Sequence, residues 1–241
     1  MIAVIVPAHE EERHIGACLQ AVARAAVCPG LGGEEVISIV VLDACTDNTQ
    51  RIARQHGATL LRVSARNVGL ARAAGSERAL AAGARWLAFT DADSLVAPDW
   101  LSTQLAHHAG GSDAVCGTVC IADWGDYGER MRQHYQSSYN DADGHQHIHG
   151  ANLGVSAAAY RRAGGFSALV SSEDVALVKA LQGSGAVIAW SAQPRVVTSA
   201  RRQFRAPDGF GATLLRVERE AQASGAGGEA GAGSAGKADG Q

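Results

Sequence analysis

Trp86-Leu-Ala-Phe-Thr-Asp-Ala-Asp-Ser94 is an apolar run that stops at two carboxylates. Residues 86–90 are apolar and long enough for a strand buried on both faces, and Ser94 to Pro98 turns the chain into a new helix. Asp91 and Asp93 therefore stand at a strand's carboxyl end. In open α/β sheets ligands bind outside those ends, so two acids one residue apart suggest a hard cation shared with a phosphate. An isolated Asp-Ala-Asp reads more readily as a polar turn, with Asp99 as a second helix-start signal. The rest of the chain has to decide between these readings.

Toward the amino terminus the same arrangement recurs three times. Residues 59–63 form a strand, followed by Arg66-Asn-Val-Gly-Leu-Ala-Arg-Ala-Ala-Gly75, whose small residues let a helix begin close to a ligand or a neighbouring strand. Alanine-rich packing is the simpler reading there, and Arg72 is the residue that argues against it. Val36 to Leu42 is too β-branched and continuous to prefer a helix, and it ends at Asp43. Thr46 and Asp47 are N-cap candidates for a helix reaching about His56. Residues 2–6 make a buried strand, and Ile15, Cys18, Leu19, Val22 and Ala26 carry helical spacing from Glu10 to about Val27. Between them runs Pro7-Ala-His-Glu-Glu-Glu12. Glu11 and Glu12 complement the helix dipole, whereas His9 and Glu10 stand closer to the strand end and could face a ligand.

Four strand–helix alternations with short connections imply a Rossmann-like, doubly wound, mostly parallel α/β sheet. No Gly-x-Gly-x-x-Gly follows the first strand and no Walker phosphate loop occurs, which counts against dinucleotide oxidoreductases and phosphate-loop NTPases.

Beyond Asp99 the pattern becomes mixed. Asp113 to Ile121 reads as a strand, and Trp124 to Tyr139 as a helix or half-ordered lid. Residues 140–149 contain a second Asp-x-Asp, Asp141 and Asp143, beside three histidines; a solvated loop is preferred over a metal loop, since no buried strand leads into it. Gly150-Ala-Asn-Leu-Gly-Val-Ser156 enters a strand and then a short helix through Arg162. A helix follows from Ser171 or Ser172, one of them the cap, to Leu181, with Glu173 and Asp174 in its first turn, where dipole complementation alone explains acids. Last strands near Ala186–Trp190 and Arg195–Ser199 lead to Arg201, Arg202 and Arg205. That cluster suits a diphosphate or an acidic acceptor, or else a solvated face. From about Ala221 the chain is almost all Ala, Gly and Ser, a tail expected to be disordered.

Composition narrows the class. The net charge is −3 and the arginines are scattered, which excludes a polyanion-binding face and hence nucleic acid. The apolar start meets Pro7 and three glutamates without a basic leader, and no apolar run is long enough to span a bilayer. Five cysteines at spacings matching no common zinc or redox motif read as reduced thiols of a cytoplasmic protein.

Taken in order, these stations resemble the family-2 glycosyltransferases, inverting enzymes of the GT-A fold. The resemblance runs from Ile2 to about Arg205. It rests on Val4-Ile-Val-Pro-Ala-His-Glu-Glu11, Val41-Leu-Asp-Ala-Cys-Thr-Asp-Asn-Thr49, Arg66-Asn-Val-Gly69, Thr90-Asp-Ala-Asp93, Gly150-Ala-Asn152 and Ser172-Glu-Asp174. It implies one domain over residues 1–220, with a nucleotide-binding half (1–99) and a mixed acceptor half (100–220), before the 221–241 tail. The donor implied is a nucleotide-diphospho-sugar, with a UDP-sugar favoured over a GDP-sugar. Pro7, Ala8, His9, Glu10 and Asp43 look like the site for base and ribose, with Asn67 and Arg72 joining them on the donor side. Asp93, with Asp91 nearer the ribose or sugar, is similar to the family's Mg²⁺ or Mn²⁺ motif. Asp174 resembles the catalytic base that deprotonates the acceptor hydroxyl, and Glu173 its adjacent support. The acceptor implied is a glycan, a lipid-linked or a small-molecule hydroxyl, with transient membrane contact compatible.

Departures from the family pattern are also legible. Ala73-Ala-Gly75 replaces the usual Ala-Arg-Asn, so Arg72 takes the arginine's part. Cys45 stands where a small Gly or Ser is usual. After the last strand the chain offers arginines, Arg201 and Arg202, in place of a histidine or basic motif, and these are the expected diphosphate contacts. The competing readings are a sugar-phosphate nucleotidyltransferase, whose glycine- and lysine/arginine-rich opening loop is missing, and a non-catalytic nucleotide-sugar-binding relative.

Overall fold

The computed structural model describes residues 1–201, 211 and 214–219. Arg202, Arg205 and the 221–241 tail lie outside them. Two compact units result, one of Met1–Asp123 with Asp141–Ser199, the other of Trp124–Asn140 with the described residues after Ser199.

The first unit is built on one eight-stranded sheet. Its strands are β1 (Ile2–Ala8), β2 (Val36–Asp43), β3 (Thr59–Val63), β4 (Trp86–Phe89), β5 (Leu95–Val96), β6 (Ala114–Ile121), β7 (Leu153–Ser156) and β8 (Ile188–Thr198), in the spatial order β3-β2-β1-β4-β7-β6-β8-β5. The first four are parallel, β7 runs antiparallel to both β4 and β6, and β8 pairs parallel with β6 and antiparallel with β5. The result is a mixed α/β sheet whose parallel half follows the expected alternation. Helices α1 (Ile15–Ala26), α2 (Thr49–Gln55) and α3 (Val68–Ala81) belong to that half, whereas α4 (Trp100–Ala109) packs on β8 and β6 of the other, to which α6 (Ala157–Arg162) and α7 (Glu173–Gly183) also belong. Helix α5 (Glu129–Ser138) lies in the second unit, where Tyr135 packs on Trp124 and Tyr139 at centroid distances of 5.3 and 5.1 Å.

The central strands β1 and β4 form where the sequence is continuously apolar, and both their faces are covered. Ile2 to Val6 and Trp86 to Phe89 are fully buried. The small residues Ala71, Gly75 and Ala79 let α3 lie close on β1 and β2, while Leu177, Val178 and Leu181 of α7 join the same core cluster. Each such aliphatic side chain contributes about 1.5–3 kcal/mol on burial. An aromatic group closes the core just beneath the strand ends, where Phe89 meets Phe166 edge-on at 5.0 Å and Tyr160 at 6.4 Å.

Three expectations change. The last two strands are one, β8, because it bulges opposite Thr118, between the Gly117–Ser191 and Val119–Val196 pairs, and so absorbs the Gln193-Pro194-Arg195 interruption. Leu95–Val96, expected only as a turn, forms β5 against the end of β8. Ser172 precedes α7 but makes no side-chain cap, since its φ of +59° turns the backbone left-handed. No helix among the described residues is long and apolar enough to cross a membrane.

Candidate active site

The chain runs from β1 outward to β2 and β3, then returns to β4 on the other side of β1. That reversal opens a crevice between the carboxyl ends of β1 and β4, the position where such sheets bind ligands. Pro7 is tolerated in β1 because β4 pairs only as far as Ile5, leaving Pro7 and Ala8 with β2 alone as neighbour.

The loops on the β1–β2 side are stitched together by their own acids. Glu10 accepts from the Thr46 N–H at 2.7 Å and the Thr46 hydroxyl at 2.9 Å. Glu12 accepts from the Asn48 N–H at 3.0 Å, while Asp47 accepts from the N–H of Glu12 at 3.0 Å and of Thr49 at 2.9 Å. The His9 Nδ1–H donates to the Asp43 carbonyl at 2.5 Å. The Asp43 carboxylate, 5% exposed, accepts three backbone N–H groups at 2.8 Å, from Ala65, Arg66 and Asn67. It thereby fixes the loop into α3, which Asn67 then caps by accepting from the Leu70 N–H at 2.9 Å.

A second constellation joins the two halves of the sheet. Arg72, only 3% exposed, projects from α3 and donates to Asp91 at 2.6 Å and to Glu173 in a short ion pair. Burial opposes its charge, but Asp91, Glu173 and Asp174 together hold its pKa above the usual arginine value. Burial likewise pushes the Glu173 carboxyl up, and Arg72 opposes that rise. Asp174 accepts from the Gly150 N–H and from the Val175 N–H, both at 2.8 Å. Asp91 and Asp93 are half-buried beyond β4, and the next residue, Ser94, donates to Thr198 at the end of β8 at 2.9 Å. The Asp-x-Asp turn is thus tied into the sheet on its far side.

Asp91 and Asp93 supply the hard oxygen ligands a divalent cation needs. Among the described residues no three His, Cys, Asp or Glu side chains converge on one point. A site of one or two carboxylates, completed by phosphate oxygens and water, is the usual arrangement for Mg²⁺, and the residues present fit it.

The 140–149 segment is a loop exposed over residues 140–144 and at Gln146, as expected, but it is pinned to the sheet and its histidines turn inward. Asp141 accepts from the Thr118 hydroxyl at 2.7 Å and pairs with Arg195; Asp143 accepts from the Ser191 hydroxyl at 2.9 Å and the Ala192 N–H at 2.8 Å. Both acids therefore rivet the loop to β6 and β8. His145 is fully buried, and the rings of His145, His147 and His149 stack at 5.5 and 5.9 Å.

The family model described as Glycosyl transferase family 2 matches residues 3–164, which spans every strand end named above on the β1–β4 side. The chain belongs to glycosyl transferase family 2. No curated protein sequence matches it significantly. The family's fold is evident in solved structures. S. aureus TarS 1–349 in complex with UDP-GlcNAc superposes with a TM-score of 0.66 at 16% identity, over 92% of this chain and 65% of that one. This chain therefore spans somewhat less than two thirds of that TarS fragment. The mannosyltransferase PcManGT from Pyrobaculum calidifontis, in complex with GDP-Man and Mn²⁺, gives 0.63 at 20% identity, over 97% and 76% of the two chains. Glucosyl-3-phosphoglycerate synthase from Mycobacterium tuberculosis, in complex with Mn²⁺, UDP and glucosyl-3-phosphoglycerate, gives 0.57 at 17% identity, over 93% and 78%. These neighbours establish a GT-A fold.

In this family 2 chain the structure gathers Pro7, Ala8, His9, Glu10, Asp43, Asn67, Arg72, Asp91, Asp93, Glu173 and Asp174 into one unit. Arg201 falls in the other unit, and Arg202 outside the described residues. Two contributors escaped the sequence reading. Phe166 lies beneath the Arg72 guanidinium, 5.8 Å from ring centroid to Cζ, and its signal was an aromatic directly after Gly164-Gly165. The Gly150 backbone N–H, which holds Asp174, carries no side-chain signal at all.

Proposed function

We propose that this chain transfers a glycosyl group from a nucleotide-diphospho-sugar to an acceptor hydroxyl, with inversion, by a single displacement. The observation that carries the reading is the meeting of Asp91 with the Glu173-Asp174 pair around one buried guanidinium, which supports an acid motif and a candidate base sharing one site. Family membership and GT-A neighbours holding UDP-GlcNAc, or GDP-Man with Mn²⁺, support it. The donor side is residues 1–99, where the Pro7 to Glu10 loop, Asp43 and Asn67 form the pocket for base and ribose. Asp43 serves it chiefly by holding residues 65–67, with one acceptor position left for a ring N–H or sugar hydroxyl.

Asp174 acts as general base. It takes the proton of the acceptor hydroxyl while that oxygen bonds to the anomeric carbon, and the bond from that carbon to the diphosphate breaks on the opposite face. The electron pair leaves with the nucleoside diphosphate. When bound, a Mg²⁺ or Mn²⁺ ion held by Asp93 with Asp91 beside it neutralises charge developing on the leaving group. Gly150 N–H holds one Asp174 oxygen and Val175 N–H the other, which fixes the carboxylate in one orientation and leaves each oxygen a further lone pair to accept the proton.

Calorimetric titration of UDP and GDP, with and without Mn²⁺, into the wild type and Asp93→Ala tests this. Binding of one nucleotide that needs both Mn²⁺ and Asp93 is expected. If no nucleotide binds under any metal condition, the fold assignment stands and the transferase reading does not.

A further inference from the structure

Resting on that transferase reading, we propose that Arg72 is a positioning residue: it holds the base Asp174 in register with the donor-side acid Asp91, and it is not itself a ligand of the donor phosphates.

One terminal nitrogen of the Arg72 guanidinium donates to Asp91 and the other to Glu173, and Nε, which has no partner, is buried where no ligand reaches it, so the group has no accessible fork with which to grip a diphosphate. Its faces are covered as well. The Phe166 ring lies on one side, and a Cβ added to Gly150 would collide with Cζ and both terminal nitrogens at once, which places the Gly150 backbone against the guanidinium plane. Arg72 is therefore a buried wedge between elements of the donor half and the acceptor half of the first unit.

Two routes lead from the wedge to Asp174. Glu173 opens α7 and is its covalent neighbour, so the Arg72–Glu173 pair sets where the helix begins. Gly150, packed on the guanidinium, donates its N–H to the Asp174 carboxylate at 2.8 Å. Ser172, just before them, holds a left-handed backbone with φ of +59°, a conformation that persists only where surrounding contacts over-determine it. A planar five-donor fork suits such bridging, and an ammonium does not, because it cannot reach two carboxylates while lying flat between a ring and a backbone.

The test is Mn²⁺-dependent hydrolysis of UDP-N-acetylglucosamine and GDP-mannose, in which water replaces the acceptor, for the wild type, Arg72→Lys, Arg72→Met and the double variant Arg72→Met/Glu173→Leu. The double variant removes both buried charges together, so it avoids the destabilising, uncompensated carboxylate that the single Arg72→Met leaves behind. Thermal unfolding and calorimetric affinity for UDP and GDP are measured alongside. We expect kcat to fall about 100-fold in Arg72→Met and in the double variant, since a displacement near 1 Å at a reacting group costs that much. Donor KM and nucleotide affinity should stay within about threefold, and Arg72→Lys should fall between. The proposal is overturned if nucleotide affinity drops in proportion to the rate, which would make Arg72 a donor ligand. It is equally overturned if the double variant, folded as stably as the wild type, hydrolyses donor at the wild-type rate. A wild type that binds neither nucleotide defeats the transferase reading itself, an outcome distinct from either of these.

Discussion

Replacing Asn152 by leucine should cost about 3–9 kcal/mol of stability while leaving the donor pocket's chemistry untouched. Asn152 sits in the Gly150-Ala-Asn152 stretch that resembles a family motif, yet its side chain points into the core. It is 1% exposed, its Nδ2 donates to the carbonyls of Thr118 and Pro194 at 2.7 Å each, and its Oδ1 accepts from the Trp100 indole at 2.8 Å. Leucine repeats the branching without a polar atom, so two buried carbonyls and one indole N–H lose their partners. Each such orphan costs about 1–3 kcal/mol, and the sum is a large part of the roughly 5–15 kcal/mol that holds an ordinary domain together. Gly117 leaves little room to relax, because a Cβ there would run into the Asn152 amide. Urea denaturation with linear extrapolation measures the loss, and UDP or GDP titration at a temperature where the variant stays folded measures the site. An Asn152→Leu variant within about 1 kcal/mol of the wild type would refute the rivet argument. Lost nucleotide binding at unchanged stability would show that the motif asparagine is a ligand.

Other expectations follow from the same geometry. In Asp43→Asn, one oxygen can keep two of the three backbone N–H groups, but the amide's NH₂ then faces the third, for a loss of about 1.5–3 kcal/mol. Amide exchange at residues 65–67 should accelerate, and unchanged protection would count against the clamp. Burial, with His147 and His145 adjacent, presses the His149 pKa down to about 3. A base whose folded-state pKa lies below its unfolded value stabilises the fold above pH 6.5 and loses that contribution as pH falls toward 3. Denaturation curves from pH 7 to 4 should therefore decline more steeply for the wild type than for His149→Gln, and parallel curves would exclude the effect.

The parallel half of the sheet was legible because its strands are continuous apolar runs that halt at acids or at turns, a pattern needing no tertiary information. What the sequence hid depends on partners far along the chain. Pro194 broke the apolar pattern of β8, and only the bulge against β6, with Asn152 taking the Pro194 carbonyl, explains why one strand continues through it. Asp141 and Asp143 look like metal ligands or loop polar groups until their donors are known, and those come from β6 and β8. Arg72 stood out as a cation in an alanine-rich helix, yet its meaning lies in Glu173, 101 residues away. The left-handed residues were equally silent. Glu10, Ala44, Arg66 and Ser172 have φ between 48° and 59°, and none is the Asn or Gly that ordinarily announces this conformation. All four sit in loops around the crevice, where such backbone strain collects at functional sites.

The electrostatics of the crevice lead to one more test. Asp91, Glu173 and Asp174 surround a single guanidinium, so the cluster stays anionic, and a diphosphate brought beside it is repelled unless a cation accompanies it. Asp91→Asn keeps an oxygen for Arg72 to donate to and removes one negative charge. At about 8 Å and an effective dielectric near 40, that charge repels a phosphate by about 1 kcal/mol, or roughly fivefold in affinity. In EDTA the variant should therefore bind UDP or GDP about fivefold more tightly than the wild type, whereas in Mn²⁺ it should bind more weakly because a cation ligand is gone. The two conditions pull in opposite directions only if the acid serves as a cation ligand and not as a direct contact to the nucleotide. If both affinities fall together, Asp91 touches the donor directly and the charge argument fails.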